Sequence, residues 1–136
     1  MGSIKDSLTF DDVSLVPQQS SVVPNETITK ITLHKKLNLK IPLISSAMDT
    51  VTESKMAISI AKMGGIGVVH RNLSADMQVS EIKKVKKANF LVGAAIGVNN
   101  NDLDRAKKLI EAKVDMIVID TAHGHTPVSY THLRAH

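Results

Sequence analysis

Four short apolar segments, each ending in polar residues, recur along this chain at intervals of about 25 residues, beginning at positions 42, 66, 91 and 116. Short continuous apolar runs are typical of strands that are buried on both faces, as in parallel sheets covered by helices. In repeated strand–helix units, ligand chemistry collects at the C-terminal ends of the strands. The repeat therefore predicts an α/β fold with a site at one rim, where these residues fall: Ser46, His70, Asn72, Asn99, Asp120 and Thr121.

Helical patterns fill the three intervals between the predicted strands. The first covers residues 53–63 and ends at a Gly-Gly pair, while Ser74 and Asn101 are the predicted N-caps of the second and third helices. Strand–helix–strand units of this length favour right-handed parallel crossovers, and a closed eight-fold barrel takes about 250 residues. We therefore predict about half a barrel. The stripe of the first helix expected to face its core is Met56, Ile60 and Met63.

The chain divides into three parts around this repeat. Residues 1–41 are predicted to form a lead-in of short strands, at 8–13 and 28–33, separated by prolines and a polar loop. Residues 42–127 contain the strand–helix repeat. Residues 128–136 carry no useful apolar stripe and resemble translated read-through of a sequencing adapter, so we interpret them as a non-native tail.

Composition excludes several classes of function. The chain has no cysteine, which excludes a disulfide framework, a zinc–thiolate site and a catalytic thiol within these residues. No apolar run approaches the roughly 18–20 residues that span a bilayer, and the first residues lack the apolar core of a secretion signal. We therefore expect a cytoplasmic protein with no membrane partner.

A lysine-rich run at residues 83–87 contributes to the net charge of +4. Such a run can bind nucleic acid or another anion, or it can be the solvated last turn of a helix, where cations complement the helix dipole. Aromatic residues for base stacking make up only 2% of the chain. We favour the solvated turn and predict no nucleic-acid partner.

Four motifs together resemble the IMP dehydrogenase family, in its bacterial form. Residues 42–53 (PLISSAMDTVTE) and 64–72 (GGIGVVHRN) resemble the start of its catalytic barrel. Residues 8–17 (LTFDDVSLVP) resemble its N-terminal signature, and residues 118–126 (VIDTAHGHT) a later strand end on the dinucleotide side. The resemblance implies a (β/α)8 TIM barrel, here its first four units, from a cytoplasmic oxidoreductase of GMP biosynthesis that oxidises IMP to XMP with NAD.

The resemblance also implies roles for individual residues. Ser46 matches a position near the phosphate and ribose of the bound nucleotide, and Met48 one against the base. Asp120 matches the aspartate that accepts hydrogen bonds from the nicotinamide ribose, and Thr121 and Ala122 match positions lining the cofactor side. Taken alone, Ser46 could merely end a strand, Met48 could fill a core, and Asp120 could form a turn.

Other polar residues of the motifs have structural interpretations. We predict that Asp49 and Thr50 cap the helix beginning near residue 53, and that His70 anchors the end of the second strand by hydrogen bonds. His123 and His125 form a pair that could hold a metal, but no third ligand is evident nearby. We favour a loop role for this pair and predict no metal site in the chain.

Two departures from the family pattern limit the expected function. Residues 87–90 join the second helix directly to the third strand, where most family members carry a pair of regulatory CBS modules. The catalytic cysteine loop and the potassium site that the resemblance implies have no counterpart in this chain. We therefore expect the chain alone to be inactive, although the family resemblance implies a homotetramer for the full-length enzyme. The alternatives are part of a GMP reductase, which shares the barrel, or a non-catalytic half-barrel that associates with itself.

Overall fold

The structure is a computed structural model that describes residues 8–35 and 37–122. Its strands and helices follow one another in the order that the repeat predicts, after an additional strand pair. A short 3-10 turn spans Pro24–Glu26. The elements are β1 (Ile31–His34), β2 (Leu37–Leu39), β3 (Ile44–Ser45), α1 (Ser54–Lys62), β4 (Ile66–Val69), α2 (Ala75–Lys87), β5 (Val92–Ile96), α3 (Asn100–Glu111) and β6 (Met116–Ile119).

Strands β3, β4, β5 and β6 form one parallel sheet in sequence order. Each helix connects two neighbouring strands, so the predicted α/β fold is confirmed as a partial barrel, with four parallel strands and three helices in the described part of the chain. The connection between α2 and β5 is only a few residues long, because Ala88 already ends the helix and β5 begins at Val92. No further module intervenes there.

The main core lies between the helices and the sheet. Helix α2 contributes Ile82 and Val85 to it, α3 contributes Leu109, and all three side chains are fully buried. These helix residues pack on the face of the sheet formed by alternate strand positions, as the two-residue period of a strand requires. The strand residues of this core are Val69, Val92, Ala94 and Ile96.

A second, smaller core closes the N-terminal end of the sheet. Strands β1 and β2 pair antiparallel, and Leu37 and Leu39 of β2 pack against Ile66 at the start of β4. Leu91 and Met116, which lie at the starts of the next two strands, join the same cluster. The hairpin therefore covers the end of the sheet opposite to the predicted rim.

Glycines allow α1 to approach β4 closely. Gly64 has φ of 100°, the left-handed conformation that ends α1 as predicted. A Cβ placed on Gly67 would lie only 2.5 Å from Cα of Ala57. The backbone of α1 therefore rests directly on β4.

The lead-in departs from its prediction. Residues 8–13 are not a strand, because the carboxylate of Asp12 accepts a hydrogen bond from the backbone of Thr9 at 3.0 Å and closes a turn. That same backbone bond, together with the Thr9 hydroxyl, lowers the pKa of Asp12. Only the second half of the predicted strand at 28–33 is extended and paired, since β1 begins at Ile31, and the sequence analysis did not predict β2.

Two helix details were also predicted wrongly. The side chains of Met56 on α1 and of Met63 just after it are 42% and 63% exposed, whereas Ala57 is buried beside Ile60, because the helix is rotated to bring this small residue against Gly67. The cap of α3 is Asn99 rather than Asn101: the Asp102 carboxylate accepts a hydrogen bond from the Asn99 backbone N–H at 2.9 Å and completes a capping box. The predicted tail at 128–136 and the pair His123 and His125 lie outside the described residues.

Candidate functional site

The C-terminal ends of β3, β4 and β6 meet around one polar cavity of about 350 Å³. This is the rim where the repeat predicted a site. Met48 and Asp120, which come from separate motifs, both line it. The complete lining is Ala47, Met48, Asp49, His70, Arg71, Asn72 and Asp120.

The loop after β3 is held by a buried threonine. The Thr52 hydroxyl donates to the backbone oxygen of Ser46 at 2.6 Å and lies 2.9 Å from the hydroxyl of Ser45. The Thr52 carbonyl in turn accepts the backbone N–H of His70. These bonds fix the backbone of Ser46, which is exposed and does not itself line the cavity, although the next residue, Ala47, does. Met48 follows on the same loop and is 54% exposed.

Asp49 does not cap α1, contrary to its prediction. Its carboxylate accepts a hydrogen bond from the Asn72 side chain at 3.0 Å, which joins the ends of β3 and β4 across the cavity. The first amide of α1, on Ser54, instead donates to the carboxylate of Glu81 on α2 at 2.8 Å. Thr50 makes no capping bond either, because the N-cap position is Glu53 and lacks a side-chain cap.

Glu81 is a charged link between two helices. Burial alone would raise the pKa of this carboxyl, but hydrogen bonds from Lys84 and Ser54, with the charge of Lys84, hold the pKa below its usual range. The carboxylate therefore stays ionised and keeps the start of α1 against α2. Lys84 and Lys86, from the lysine-rich run, pair with Glu81 and Asp115 respectively, which supports a structural reading of that run.

Asp120 is joined to the end of β4 by an ion pair. The Nε atom of Arg71 donates to Oδ2 of Asp120 at 3.2 Å, and both side chains are nearly half exposed. The backbone N–H of Asp120 donates to the carbonyl of Ile96 at 2.8 Å and aligns the ends of β5 and β6. Thr121 and Ala122 follow on the chain but do not line the cavity.

His70 is almost fully buried, with 3% of its side chain exposed. Its Nε2 atom lies 3.5 Å from the carboxylate of Glu53 at the start of α1. Within the described part of the chain, its Nδ1 atom has no hydrogen-bond partner. His70 is therefore buried at the strand end and lines the cavity, but among the described residues its side chain makes a single polar contact, at 3.5 Å, rather than the anchoring hydrogen bonds that were predicted.

A buried polar network lies behind the rim and was not predicted from the sequence. The amide nitrogen of Gln78 on α2 lies 2.8–3.3 Å from the carbonyl oxygens of Val69, His70 and Ala95, at the ends of β4 and β5. Its oxygen accepts a hydrogen bond from Arg105 on α3 at 2.9 Å. The signal was present in the sequence: Gln78 lies on the apolar stripe of α2 that continues through Ile82 and Val85.

Two further features concern metals and membranes. Within residues 8–35 and 37–122, no group of three or more histidine, cysteine, aspartate or glutamate side chains is placed to hold a metal ion. No helix in this described part of the chain is both long and apolar enough to cross a bilayer.

These features define the chain as part of a βα barrel with a polar site at the C-terminal ends of its strands. The chain belongs to the family described as IMP dehydrogenase / GMP reductase domain, whose model matches residues 7–135. The resemblance carried by the four motifs is thereby confirmed at the level of the family.

Curated relatives agree with this assignment. An inosine-5'-monophosphate dehydrogenase of Borreliella burgdorferi is 39% identical over 90% of this chain and 43% of its own length. One from Cryptosporidium parvum is 41% identical over 91% of this chain and 41% of its own length. One from Aquifex aeolicus is 54% identical over 62% of this chain and 17% of its own length. The chain therefore spans less than half the length of these relatives.

Proposed function

We propose that this chain provides the first part of the nucleotide-binding rim of an IMP dehydrogenase, the enzyme that oxidises IMP to XMP with NAD in GMP biosynthesis. One observation carries the proposal. Met48, assigned to the substrate, and Asp120, assigned to the cofactor, come from distant parts of the sequence and line the same cavity. A site that binds a nucleotide substrate next to a dinucleotide cofactor requires the residues for the two ligands to lie close together.

On the substrate side, we propose that the loop after β3 binds IMP. The exposed thioether of Met48 offers a polarisable apolar surface for a purine base. The exposed hydroxyl of Ser46, on a backbone held by Thr52, can donate to a ribose or phosphate oxygen. These two residues are the proposed substrate contacts.

On the cofactor side, the residues present fit NAD. Among the described residues, Oδ1 of Asp120 accepts no hydrogen bond, so it is available to the hydroxyls of a ribose diol. Thr121 and Ala122 extend the proposed cofactor side along the chain from Asp120. When bound, NAD supplies the acceptor for the hydride that leaves the purine.

The chemistry itself needs more than this chain. The thiol that attacks the purine in this family has no counterpart here, since the chain has no cysteine. We therefore propose that the chain binds nucleotides weakly and does not turn them over. A potassium ion and a homotetramer are proposed only for the full-length enzyme.

GMP reductase is the second candidate, because the matching family model covers both enzymes. The continuation Thr52–Glu53 and the segment 64–72 are closer to the dehydrogenase pattern. The relatives reported above are all dehydrogenases by name. We therefore favour the dehydrogenase.

A methyl NMR titration tests the proposal on the chain as it exists. With methionine methyl groups labelled with ¹³C, IMP should shift the signal of Met48, and Met63 on α1 serves as an exposed control. Assignment by Met48→Leu and Met63→Leu identifies the two signals. NAD should shift the backbone signals of residues 120–122. If saturating nucleotide moves neither set, the chain does not carry this site.

A parallel assay follows NADH absorbance with IMP and NAD present. We expect no production above background. Turnover that disappears in Asp120→Ala would overturn the prediction that the chain is inactive alone.

A further inference from the structure

Arg71 lies across the rim, and none of the motifs assigned a role to this residue. It follows β4 directly, and its guanidinium passes the end of β5 to reach Asp120 after β6. Gly97 at the end of β5 leaves space for this: a Cβ there would lie 3.4 Å from Nη1 of Arg71 and 2.6 Å from a carboxylate oxygen of Asp102. The order of the parallel strands and the missing side chain at Gly97 thus let one arginine span the distance between two strand ends.

Arg71 also affects the charge balance of the cavity. Its lining carries two carboxylates, Asp49 and Asp120, and Arg71 is the only lysine or arginine among the lining residues that the structure describes. Asp49 is held by the neutral amide of Asn72 and so keeps its charge uncompensated by that contact. Without Arg71, two negative charges would face any anionic nucleotide that enters, which disfavours binding.

The geometry of the ion pair leaves Asp120 available to a ligand. Arg71 contacts Asp120 through Nε and through one carboxylate oxygen, Oδ2, rather than through two parallel hydrogen bonds. A single contact of this kind restricts the carboxylate's rotation while leaving the lone pairs of the other oxygen for hydroxyl donors. An exposed aspartate without such a partner would sample several rotamers.

We propose that Arg71 is a positioning residue that orients Asp120 toward the ribose diol of a dinucleotide and offsets the negative charge of the cavity. The assignment rests on the proposed function for its ligand. The ion pair itself is a property of the free chain and can be tested without any nucleotide.

The first test is ¹H–¹⁵N NMR of the arginine Nε–H groups. The chain has only Arg71, Arg105 and Arg134, so these signals are few, and Arg71→Lys identifies the one from Arg71. Asp120→Asn should shift the Arg71 signal and speed its exchange with water. The signal of Arg105, which lies 3.6 Å from Asp102, is the internal control and should not move. If neither the chemical shift nor the exchange rate of the Arg71 Nε–H group changes in Asp120→Asn, the proposed positioning role of Arg71 is overturned.

The second test measures NAD and IMP affinity by calorimetry. Arg71→Gln and Asp120→Asn should each weaken NAD binding roughly tenfold, the effect of losing one charge-assisted hydrogen bond. The double variant should be little weaker than either single one, because both remove the same arrangement. Arg71→Lys should recover part of the loss through its charge, and IMP affinity should fall less than NAD affinity.

Lys107→Gln is the matched control, since Lys107 is an exposed cation that pairs with Asp104 on α3. It should bind NAD as the unaltered chain does. If the unaltered chain binds neither nucleotide, the proposed function fails, and the ligand role of Arg71 fails with it. If NAD binds normally and Arg71→Gln binds it equally well, only the role of Arg71 is overturned.

Discussion

The two central strands and the two outer strands of the sheet have very different surroundings. Every residue of β4 and β5 is buried. On β3, Ile44 is 50% exposed, and on β6, Ile119 is 36% exposed. Each central strand has a neighbour on both sides, whereas each outer strand has a neighbour on one side only.

The difference extends to the helices. Beside α3 and β6 runs a groove of about 500 Å³ with an apolar lining that includes Leu103, Ile110 and Ile117, and Ile110 is 62% exposed. Nothing in the described part of the chain covers this groove. The centre of the sheet is thus completed by the chain's own residues, while its edges retain apolar surface and unpaired backbone groups, which favour association.

The largest effect is expected from Gly67→Ala at the centre. The new Cβ would meet the backbone of Ala57 at 2.5 Å, so α1 must move away from β4, at a cost of about 3 kcal/mol of unfolding free energy. Urea unfolding followed by circular dichroism measures this loss. Gly93→Ala is the matched control: its Cβ would meet side-chain atoms of Met116 and Val68 at 3.1 Å and a backbone atom only at 3.5 Å, and should cost clearly less. Equal losses would contradict the comparison.

The next effect is expected from Gln78→Leu, which removes the amide that joins the ends of β4 and β5. The change leaves buried carbonyl oxygens and the Arg105 guanidinium without this partner, and should cost about 2 kcal/mol. The same unfolding experiment applies. Asn72→Ala, which removes an exposed hydrogen bond to Asp49 near the outer strand β3, should cost less than about 0.5 kcal/mol. A small effect at Gln78 would show that the network does not stabilise the centre.

A smaller effect is expected at the edges, on association. We expect the chain to associate with itself, and Ile44→Lys and Ile119→Lys to weaken that association roughly tenfold by placing charges on the outer strands. Sedimentation velocity over a range of concentrations measures the change. Ser80→Lys, at an exposed position of α2, adds the same charge away from the outer strands and controls for charge alone. A chain that remains monomeric and melts cooperatively would contradict the prediction.

The smallest effect concerns pH at the junction between centre and edge, where Glu81 holds α1. Because its pKa is lowered in the folded chain, Glu81 contributes stability above its unfolded pKa of about 4.5, and this is lost as the pH falls through the lower folded value. Glu81→Gln keeps an oxygen for the Ser54 amide but no longer titrates. The melting temperatures of the two chains should therefore converge as the pH falls. At neutral pH we expect their unfolding free energies to differ by less than about 1 kcal/mol. If the difference in melting temperature stays constant with pH, the titration of Glu81 does not contribute to stability.

The fold was largely predictable because its signals are local and repeated. The starts of β4 and β6 and the cap at Ser74 were predicted correctly, since each depends on neighbours within one turn or one strand. The β1–β2 hairpin was missed because β2 is only three residues long and is defined by its contact with Ile66. The face of α1 was wrong because Gly67, on the next strand, selects Ala57 for the contact.

The site was predictable in position and less so in its contacts. Asp120 was predicted to lie at the rim because polar residues follow each strand at the same end, whereas Met48 was assigned to the site by the family resemblance; both line the cavity. The binding roles of all five site residues remain predictions: Ser46, Met48, Asp120, Thr121 and Ala122. Asp49 was predicted to be a cap because local spacing favours one, but Asn72 and Glu81 reached the relevant groups from other elements.

The sequence by itself determined the order of strands and helices within the repeat, the family, and the end of the sheet where polar residues gather. These depend on apolar period, helix signals and motifs, all of which are read along the chain. Only the tertiary structure decided which polar groups meet: Arg71 with Asp120, Asn72 with Asp49, and Gln78 with Arg105. The physical reason is that side-chain hydrogen bonds need partners within about 3 Å, a distance set by strand order and helix packing rather than by spacing in the sequence.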